Sequence, residues 1–272
     1  MAGLRAQGII ALSDERYNAH MSIFGNTSAV QEQPAFRVIG GLSADALKRA
    51  VHAKADPRVE EALHAFSEKP LSYRAVKRIF DLGLSAGVVV VGSIPAALLS
   101  AVIVVESKGS PFYTQTRVGK GGKLFKLYKF RTMFADANDL EKYLTEDQIA
   151  QWIADRKVKD DPRVTKIGHF LRKTSLDELP QFLNVLQGHL SIIGPRAITP
   201  GELEWYGDDA GILLSVTPGI TGLWQSGKRN AARYDTGERQ QIELTYVKEA
   251  DLAMDARIVV KTIQTILAGK GE

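Results

Sequence analysis

From Leu82 to Val105 the chain carries no charged side chain for 24 residues. A helix of that length reaches about 36 Å, more than the roughly 30 Å of a bilayer's hydrocarbon core. A buried core helix, a single span and a re-entrant segment are the structures open to such a run. An uncharged run of this length is unusual for a soluble core, and a span calls for basic residues concentrated on one flank. Here Arg74, Lys77 and Arg78 precede the run, and Lys108, Arg117, Lys120, Lys123, Lys126, Lys129 and Arg131 follow it. Both flanks are basic, which favours both ends staying on the cytoplasmic side. Pro95 lies near the middle with Ser93 just before it. Proline removes a backbone donor, and a nearby hydroxyl can satisfy a carbonyl so freed. The expectation is a helix–break–helix hairpin over residues 71–106, broken at Ser93 and Pro95, that enters one leaflet and returns.

The charge distribution agrees with a membrane-surface role. The net charge is +4, yet residues 1–70 hold 8 Lys/Arg against 8 Asp/Glu, residues 71–131 hold 10 against 2, and residues 132–272 hold 17 against 21. A basic belt around one apolar segment suits anionic lipid or a polyanionic small ligand. Nothing matches a zinc finger, an RNP motif or a basic recognition helix, so no nucleic-acid partner is expected. The absence of cysteine removes disulfides, thiolate metal sites and cysteine nucleophiles together. His20, His52, His64, His169 and His189 show no metal-binding spacing, and no zinc is expected. Residues 1–70 read as a partly disordered cytoplasmic extension, with two short helices between Ser43 and Phe66. Their first apolar run, Gly8 to Leu12, is too short for a secretory signal.

Residues 107–272 read as a compact cytoplasmic domain of mixed α/β class, mostly helical, with a small β element and interfacial helices. Two short strands, around Pro111–Tyr113 and Lys123–Phe130, flank the turn Gly119-Lys120-Gly121-Gly122. That turn lacks the lysine-serine and the preceding buried strand of a phosphate loop, so a hairpin turn is the better reading. Asp136 to Ile153 is expected as one amphipathic helix, and Asp160-Asp161-Pro162 as a turn rather than a metal pair. Val216 to Gln225, rich in Gly and Pro, reads as a constrained loop. The last two helices are expected over 238–250 and 254–267; the second can pack in the core or lie in the membrane interface, with core packing the default.

Arg172-Lys173-Thr174-Ser175-Leu176-Asp177-Glu178-Leu179-Pro180-Gln181 is the chemical focus. Two adjacent carboxylates stand at a helix start beside two cations, where a positive helix end holds carboxylates ionised and favours phosphate. Asp177 as N-cap and Ser175 with Glu178 as a capping box are both compatible with the sequence. Capping alone would account for the pair if it stood by itself.

Eight segments in order resemble the bacterial sugar transferases of the monotopic polyprenyl-phosphate phosphoglycosyl transferase superfamily. They are Lys77 to Asp81, Ser107 to Tyr113, Arg117 to Gly119, Tyr128 to Met133, Asp161 to Thr165, Leu171 to Gln181, Asn184 to Gly188 and Ser191 to Arg196. The resemblance covers Tyr73 to Ala268. It implies transfer of a sugar-1-phosphate from a UDP-sugar to undecaprenyl phosphate with release of UMP, at the cytoplasmic leaflet of the bacterial inner membrane. It also implies Asp177 as nucleophile, Glu178 as its partner in holding Mg²⁺, and Arg172 and Arg196 as phosphate-binding residues. Lys129 and Arg131 are further phosphate or lipid candidates. The C-terminal region is similar to members that use galactose or glucose in exopolysaccharide, capsule or O-antigen synthesis, with downstream glycosyltransferases as possible partners. A non-catalytic adaptor of the same fold and a UDP-releasing glycosyltransferase are the alternatives. Two departures stand out. An isoleucine separates Ser93 from Pro95, and residues 1–70 contain nothing like the four-helix membrane bundle of larger members.

Overall fold

The computed structural model describes residues 69–155, 158–227 and 236–268; the expected extension over residues 1–70 lies almost wholly outside them. The chain enters through helix α1, Leu71–Ser107, a run of 37 residues long and apolar enough to cross a membrane. Lys108 ends it in the left-handed conformation, φ 56°, returning its N–H to Val104. The helix does not show the expected non-helical break: Pro95 lies inside a continuous helical run. The reason is local. A helix can absorb one proline by losing a single bond, and the Ser93 hydroxyl donates to the Val90 carbonyl at 2.8 Å. That is one residue short of the Val91 carbonyl that the proline leaves without its usual donor.

The two ends of α1 pack on the same domain, while Val90, Val91 and Ile94 between them are exposed. Tyr73, Asp81 and Ser85 are buried at one end and Ile103 and Ser107 at the other, whereas Val91 and Ile94 are 77% and 73% exposed. At the first end Arg78 donates to the Val185 and Leu186 carbonyls, and Asp81 accepts from the Ser191 hydroxyl and the Ile192 N–H. At the second, Ile103 forms a small core with Phe130 and Leu171.

Strands β1, Phe112–Val118, and β2, Leu124–Phe130, form the expected antiparallel hairpin, with Phe112 opposite Phe130 and Val118 opposite Leu124. Its turn is a short 3-10 segment with Gly121 and Gly122 at positive φ, 65° and 75°, which glycine adopts without strain. The helix expected over Asp136–Ile153 is instead divided into α2, Leu140–Tyr143, and α3, Glu146–Asp155. Leu144 is extended, and Thr145 and Gln148 exchange side-chain and backbone bonds as a capping box that restarts the helix. Helix α4, Lys166–Thr174, then leads through a 3-10 turn, Leu176–Glu178, to helix α5, Gln181–Leu186.

Strand β3, Ser191–Ile193, pairs in parallel with β4, Gly219–Thr221. Their backbones come so close that a Cβ on Gly194 would lie 2.6 Å from the Gly219 nitrogen. This close approach explains the Gly and Pro content of the constrained loop. A 3-10 segment, Glu202–Asp209, and helices α6, Ala210–Leu214, and α7, Leu223–Ser226, stand on either side of β4. Helices α8, Glu238–Glu249, and α9, Leu252–Leu267, complete the chain. The main core joins Tyr73 of α1 to Phe125, Leu190, Ile192, Tyr246 and Ile258. Helix α9 packs there only through one face. Ile258 is buried, but Val260, Ile263 and Ile266 are about half exposed.

Candidate active site

Helix α4 is capped at its start twice over. The Thr165 hydroxyl accepts from the Gly168 N–H at 3.0 Å, and the Glu106 carboxylate, at the end of α1, accepts from the N–H groups of Lys166 and Ile167 at 2.7 and 2.9 Å. A carboxylate at a helix N-terminus both satisfies orphan donors and meets the positive end of the dipole. The membrane-type helix thus sets the axis of the helix that delivers the dyad.

At the far end of α4, Ser175 takes the left-handed conformation, φ 57°, and its N–H returns to the helix's last carbonyls. Ser175 therefore ends one helix instead of capping the next. Asp177 and Glu178 lie in the 3-10 turn, and Pro180 stands at the N-cap position of α5, with no side-chain cap bond at either place. Neither sequence-based capping scheme forms. The reason is Ser175's own geometry, since an N-cap residue is normally extended. The consequence is that the Asp177 carboxylate is not consumed by a backbone cap.

What meets the two carboxylates is Lys129 on β2. Its Nζ lies 2.9 Å from Glu178 Oε1 and 3.4 Å from Asp177 Oδ2. All three side chains are largely but not wholly enclosed. Burial pushes the Asp177 carboxyl above the usual aspartate range; Lys129 and Arg172 pull it down and Glu178 pushes it further up, leaving it raised overall. Arg172, in the last turn of α4, is held by donation from Nε to the Thr132 hydroxyl at 3.1 Å. Its charge lowers the Asp177 carboxyl against the effect of burial.

The remaining sequence candidates make other contacts. Arg131 donates from Nε to the Ser110 carbonyl at 2.7 Å, tying β2 to the segment that leaves α1. Asp161 forms the expected turn and closes on Arg163 in a buried pair, with Oδ2 2.6 Å from Nη2. Arg196 makes no hydrogen bond or ion pair with the dyad. Its backbone N–H donates to Glu243 Oε2 at 3.1 Å, and its guanidinium stands 5.7 Å from the Trp224 ring centroid. Trp224 is stacked more closely by Arg239, at 3.9 Å.

Glu243 is the residue that sequence reasoning passed over. It is fully buried, and burial raises its carboxyl to about 7 against the pull of Arg239 and Arg196. Only its position on α8 among charged neighbours could have drawn attention, and that helix has no clear apolar stripe. Arg117, in sequence a member of the basic flank and of the Arg117 to Gly119 motif, is buried and donates to the Ala197 carbonyl at 2.8 Å and to Glu202 at 3.1 Å. It thereby holds the chain just beyond Arg196.

Among the described residues no cluster of three or more His, Cys, Asp or Glu stands ready for a metal. Magnesium does not need one, because it is commonly held by one or two carboxylates together with substrate phosphates and water. The dyad meets that requirement, and it is already arranged around a cation, the Lys129 ammonium.

The sequence profile described as bacterial sugar transferase matches residues 72–269. The chain is similar to the UDP-galactose-lipid carrier transferase of Erwinia amylovora, 42% identical over 203 residues, which is 74% of this chain and 42% of that protein. It is 43% identical over the same length to the undecaprenyl-phosphate galactose phosphotransferase of Salmonella typhimurium, again covering 42% of the relative. The chain thus spans less than half the length of these relatives. With the exopolysaccharide production protein ExoY of Rhizobium meliloti it shares 42% identity over 199 residues, 87% of that protein.

Proposed function

We propose, from the premise that the chain belongs to the bacterial sugar transferase family, that it moves a sugar-1-phosphate from a UDP-sugar to undecaprenyl phosphate and releases UMP. The observation that supports this best is the Asp177–Glu178 pair: partly enclosed, free of capping bonds and bridged by Lys129. The names of the Salmonella relative and of ExoY support the acceptor class and a place in polysaccharide synthesis.

In this reading an Asp177 carboxylate oxygen attacks the sugar-bearing phosphorus of the donor. An oxygen–phosphorus bond forms, the bond to UMP breaks, and UMP leaves with the electron pair. A phosphate oxygen of the acceptor then attacks the same phosphorus and releases Asp177 unchanged. Two displacements replace one, and the acyl phosphate between them is reactive enough to pass the group onward. No net proton transfer is required. Lys129 keeps Asp177 ionised in a site whose burial opposes ionisation. Arg172 offers a planar donor fork to the anionic phosphates. Glu178 with Asp177 would hold Mg²⁺, which neutralises phosphate charge when bound.

The apolar helix is proposed to enter the cytoplasmic leaflet and return by bending at Pro95, since a proline can bend a helix without ending it, so that the enzyme is monotopic. Support comes from the packing of both ends of α1 on one domain and from the exposed apolar residues between them. Galactose or glucose is the proposed sugar, on the strength of the galactose named for the Salmonella relative.

Purified protein in lipid nanodiscs, given Mg²⁺, undecaprenyl phosphate and each of a panel of UDP-sugars, should release UMP with one donor, and Asp177→Asn should abolish it. Release of UDP would replace this reading with that of an ordinary glycosyltransferase. Undiminished turnover in Asp177→Asn would remove Asp177 as nucleophile.

A further inference from the structure

Asn184, on α5, is fully buried and bonds through both ends of its amide to the backbone of β2. Its Oδ1 accepts from the Tyr128 N–H at 3.0 Å, and its Nδ2 donates to the Lys126 carbonyl at 2.8 Å. Among the described residues the hairpin sheet has two strands, and on its other edge β2 pairs with β1, Lys126 opposite Thr116 and Tyr128 opposite Thr114. A primary amide offers a carbonyl acceptor and N–H donors on one planar group, as a peptide unit does. The side chain thus takes the place that a residue of a third strand would hold.

This pair of bonds ends one residue short of Lys129. Asn184 itself follows the dyad closely, and the chain between them is bonded without a gap. The Leu179 N–H donates to the Leu176 carbonyl, and the N–H groups of Phe182 and Leu183 donate to the carbonyls of Leu179 and Pro180. The two carboxylates and the amide that grips β2 therefore ride on one unit, and the cation between the carboxylates rides on the strand that is gripped. Pairing with β1 fixes β2 within the hairpin but not the hairpin against the dyad. Phe130, on the far side of Lys129, packs with Leu171, Leu176 and Leu179. Apolar packing is non-directional, so it holds the strand near the dyad but does not stop it sliding along its own axis. A slide of about 1 Å is enough to disturb a preorganised group, and two directional bonds from Asn184 oppose it.

We propose that Asn184 is a positioning residue of the active site, setting the place of the Lys129 ammonium against Asp177 and Glu178 by fixing β2 to the unit that carries them. It acts through Lys129 and not on the substrate. Its effect on rate rests on the reaction proposed at Asp177, whereas the place of Lys129 does not depend on that reaction. An amide that only satisfied the edge of a strand would behave differently. Its loss would lower stability, and the rate per folded molecule would change by the same factor whether or not Lys129 is present.

The test is a double-mutant cycle in the full chain in lipid nanodiscs. Asn184→Leu keeps the shape without the hydrogen-bonding groups, and Asn184→Gln keeps both groups on a longer stem. Each is made with Lys129 and with Lys129→Met. With Lys129 present, UMP release per folded molecule should fall roughly 10- to 100-fold in Asn184→Leu, and by a smaller factor in Asn184→Gln. In the Lys129→Met background the same changes should cost less than about 2-fold, because residues that act through one another are not additive. Equal fractional falls in both backgrounds overturn the proposal. Reductive methylation of Lys129, read by peptide mass spectrometry against the exposed Lys261, reports its place without turnover. Labelling should rise severalfold in both Asn184 variants, and unchanged labelling overturns the proposal. If Asn184→Leu does not fold, Asn184→Gln decides alone. If the wild type releases no UMP, the reaction at Asp177 fails and the labelling decides for Asn184.

Discussion

Asp81 of the apolar helix and Ser191 of β3 are joined by a buried hydrogen bond of 3.1 Å, and the same Asp81 oxygen accepts the Ile192 N–H at 2.9 Å. One carboxylate, 4% exposed, therefore ties the membrane-type segment to the strand beneath it. Asp81→Ala would strand two buried donors. A hydrogen bond to a charged group is worth about 1.5–3 kcal/mol, so the variant should lose about 2–4 kcal/mol of stability. Asp81→Asn keeps an acceptor and should lose roughly half of that. Thermal unfolding of the three proteins in one detergent checks both values; equal midpoints would mean that the tie bears no weight.

Lys129 is predicted to matter through charge rather than contact area. Replacing it by methionine retains most of the buried stem but leaves two adjacent carboxylates without their bridging cation. We expect UMP release to fall by roughly 100-fold or more, the scale seen when one preorganised electrostatic group is removed. Lys129→Arg, which keeps the charge, should recover part of the rate. Steady-state UMP release at saturating donor is the measurement, and equal rates for the methionine and arginine variants would contradict the electrostatic role.

Glu243 makes stability depend on pH. Its carboxyl titrates at about 7 in the folded protein because burial disfavours the charge, against 4.5 for the free group. The folded state therefore holds a proton that the unfolded state has released, and this contribution to stability is complete below about 4.5. It is lost as pH rises through 7. The difference corresponds to roughly 3 kcal/mol. Glu243→Gln has no proton to lose and can still accept the Arg196 N–H. Its melting temperature should match the wild type at pH 5 and exceed it at pH 8. A constant gap between the two proteins at all pH values would show that Glu243 does not titrate in this window.

Several of these features were legible in the residues and others were not, for identifiable reasons. The uncharged run Leu82–Val105 and the hairpin were readable because hydrophobic length and strand–glycine–strand patterning are local signals. The Asp177–Glu178 pair was readable as chemistry, but its backbone was not. Whether Ser175 starts one helix or ends another depends on a single left-handed residue, and Ser rarely adopts that conformation. The division of the helix after Tyr143 was present in Thr145 and Gln148 as a capping box, masked by the apolar positions on either side. Lys129 was readable as a phosphate or lipid candidate within the basic belt of residues 71–131, but not as the cation that bridges the dyad. Its place against the dyad is a contact across 49 positions. Glu243 and Arg239 share α8, while Trp224 on α7 and Arg196 beyond β3 reach them from distant parts of the chain, and no pattern within α8 announces a buried carboxylate.

The placement of α1 yields the last prediction. Before the apolar middle, the Tyr73 hydroxyl donates to Asp255 at 3.1 Å and Lys77 pairs with the same carboxylate. Beyond it, Glu106 caps α4 and Ile103 is buried against Phe130 and Leu171. A helix that crossed the bilayer would have to give up one of these sets, because both lie on one domain. Surrendering the second set would expose Ile103, at a cost of about 1.5–3 kcal/mol for the side chain alone, and would uncap the helix that delivers Asp177. The chain has no cysteine, so single cysteines at Ser72 and at Lys108, both exposed, report cleanly. A membrane-impermeant maleimide should label both in inside-out vesicles and neither in intact spheroplasts. If Lys108→Cys is labelled from outside the cell while Ser72→Cys is not, α1 spans the membrane, and the packing at its second end belongs to a different state of the protein.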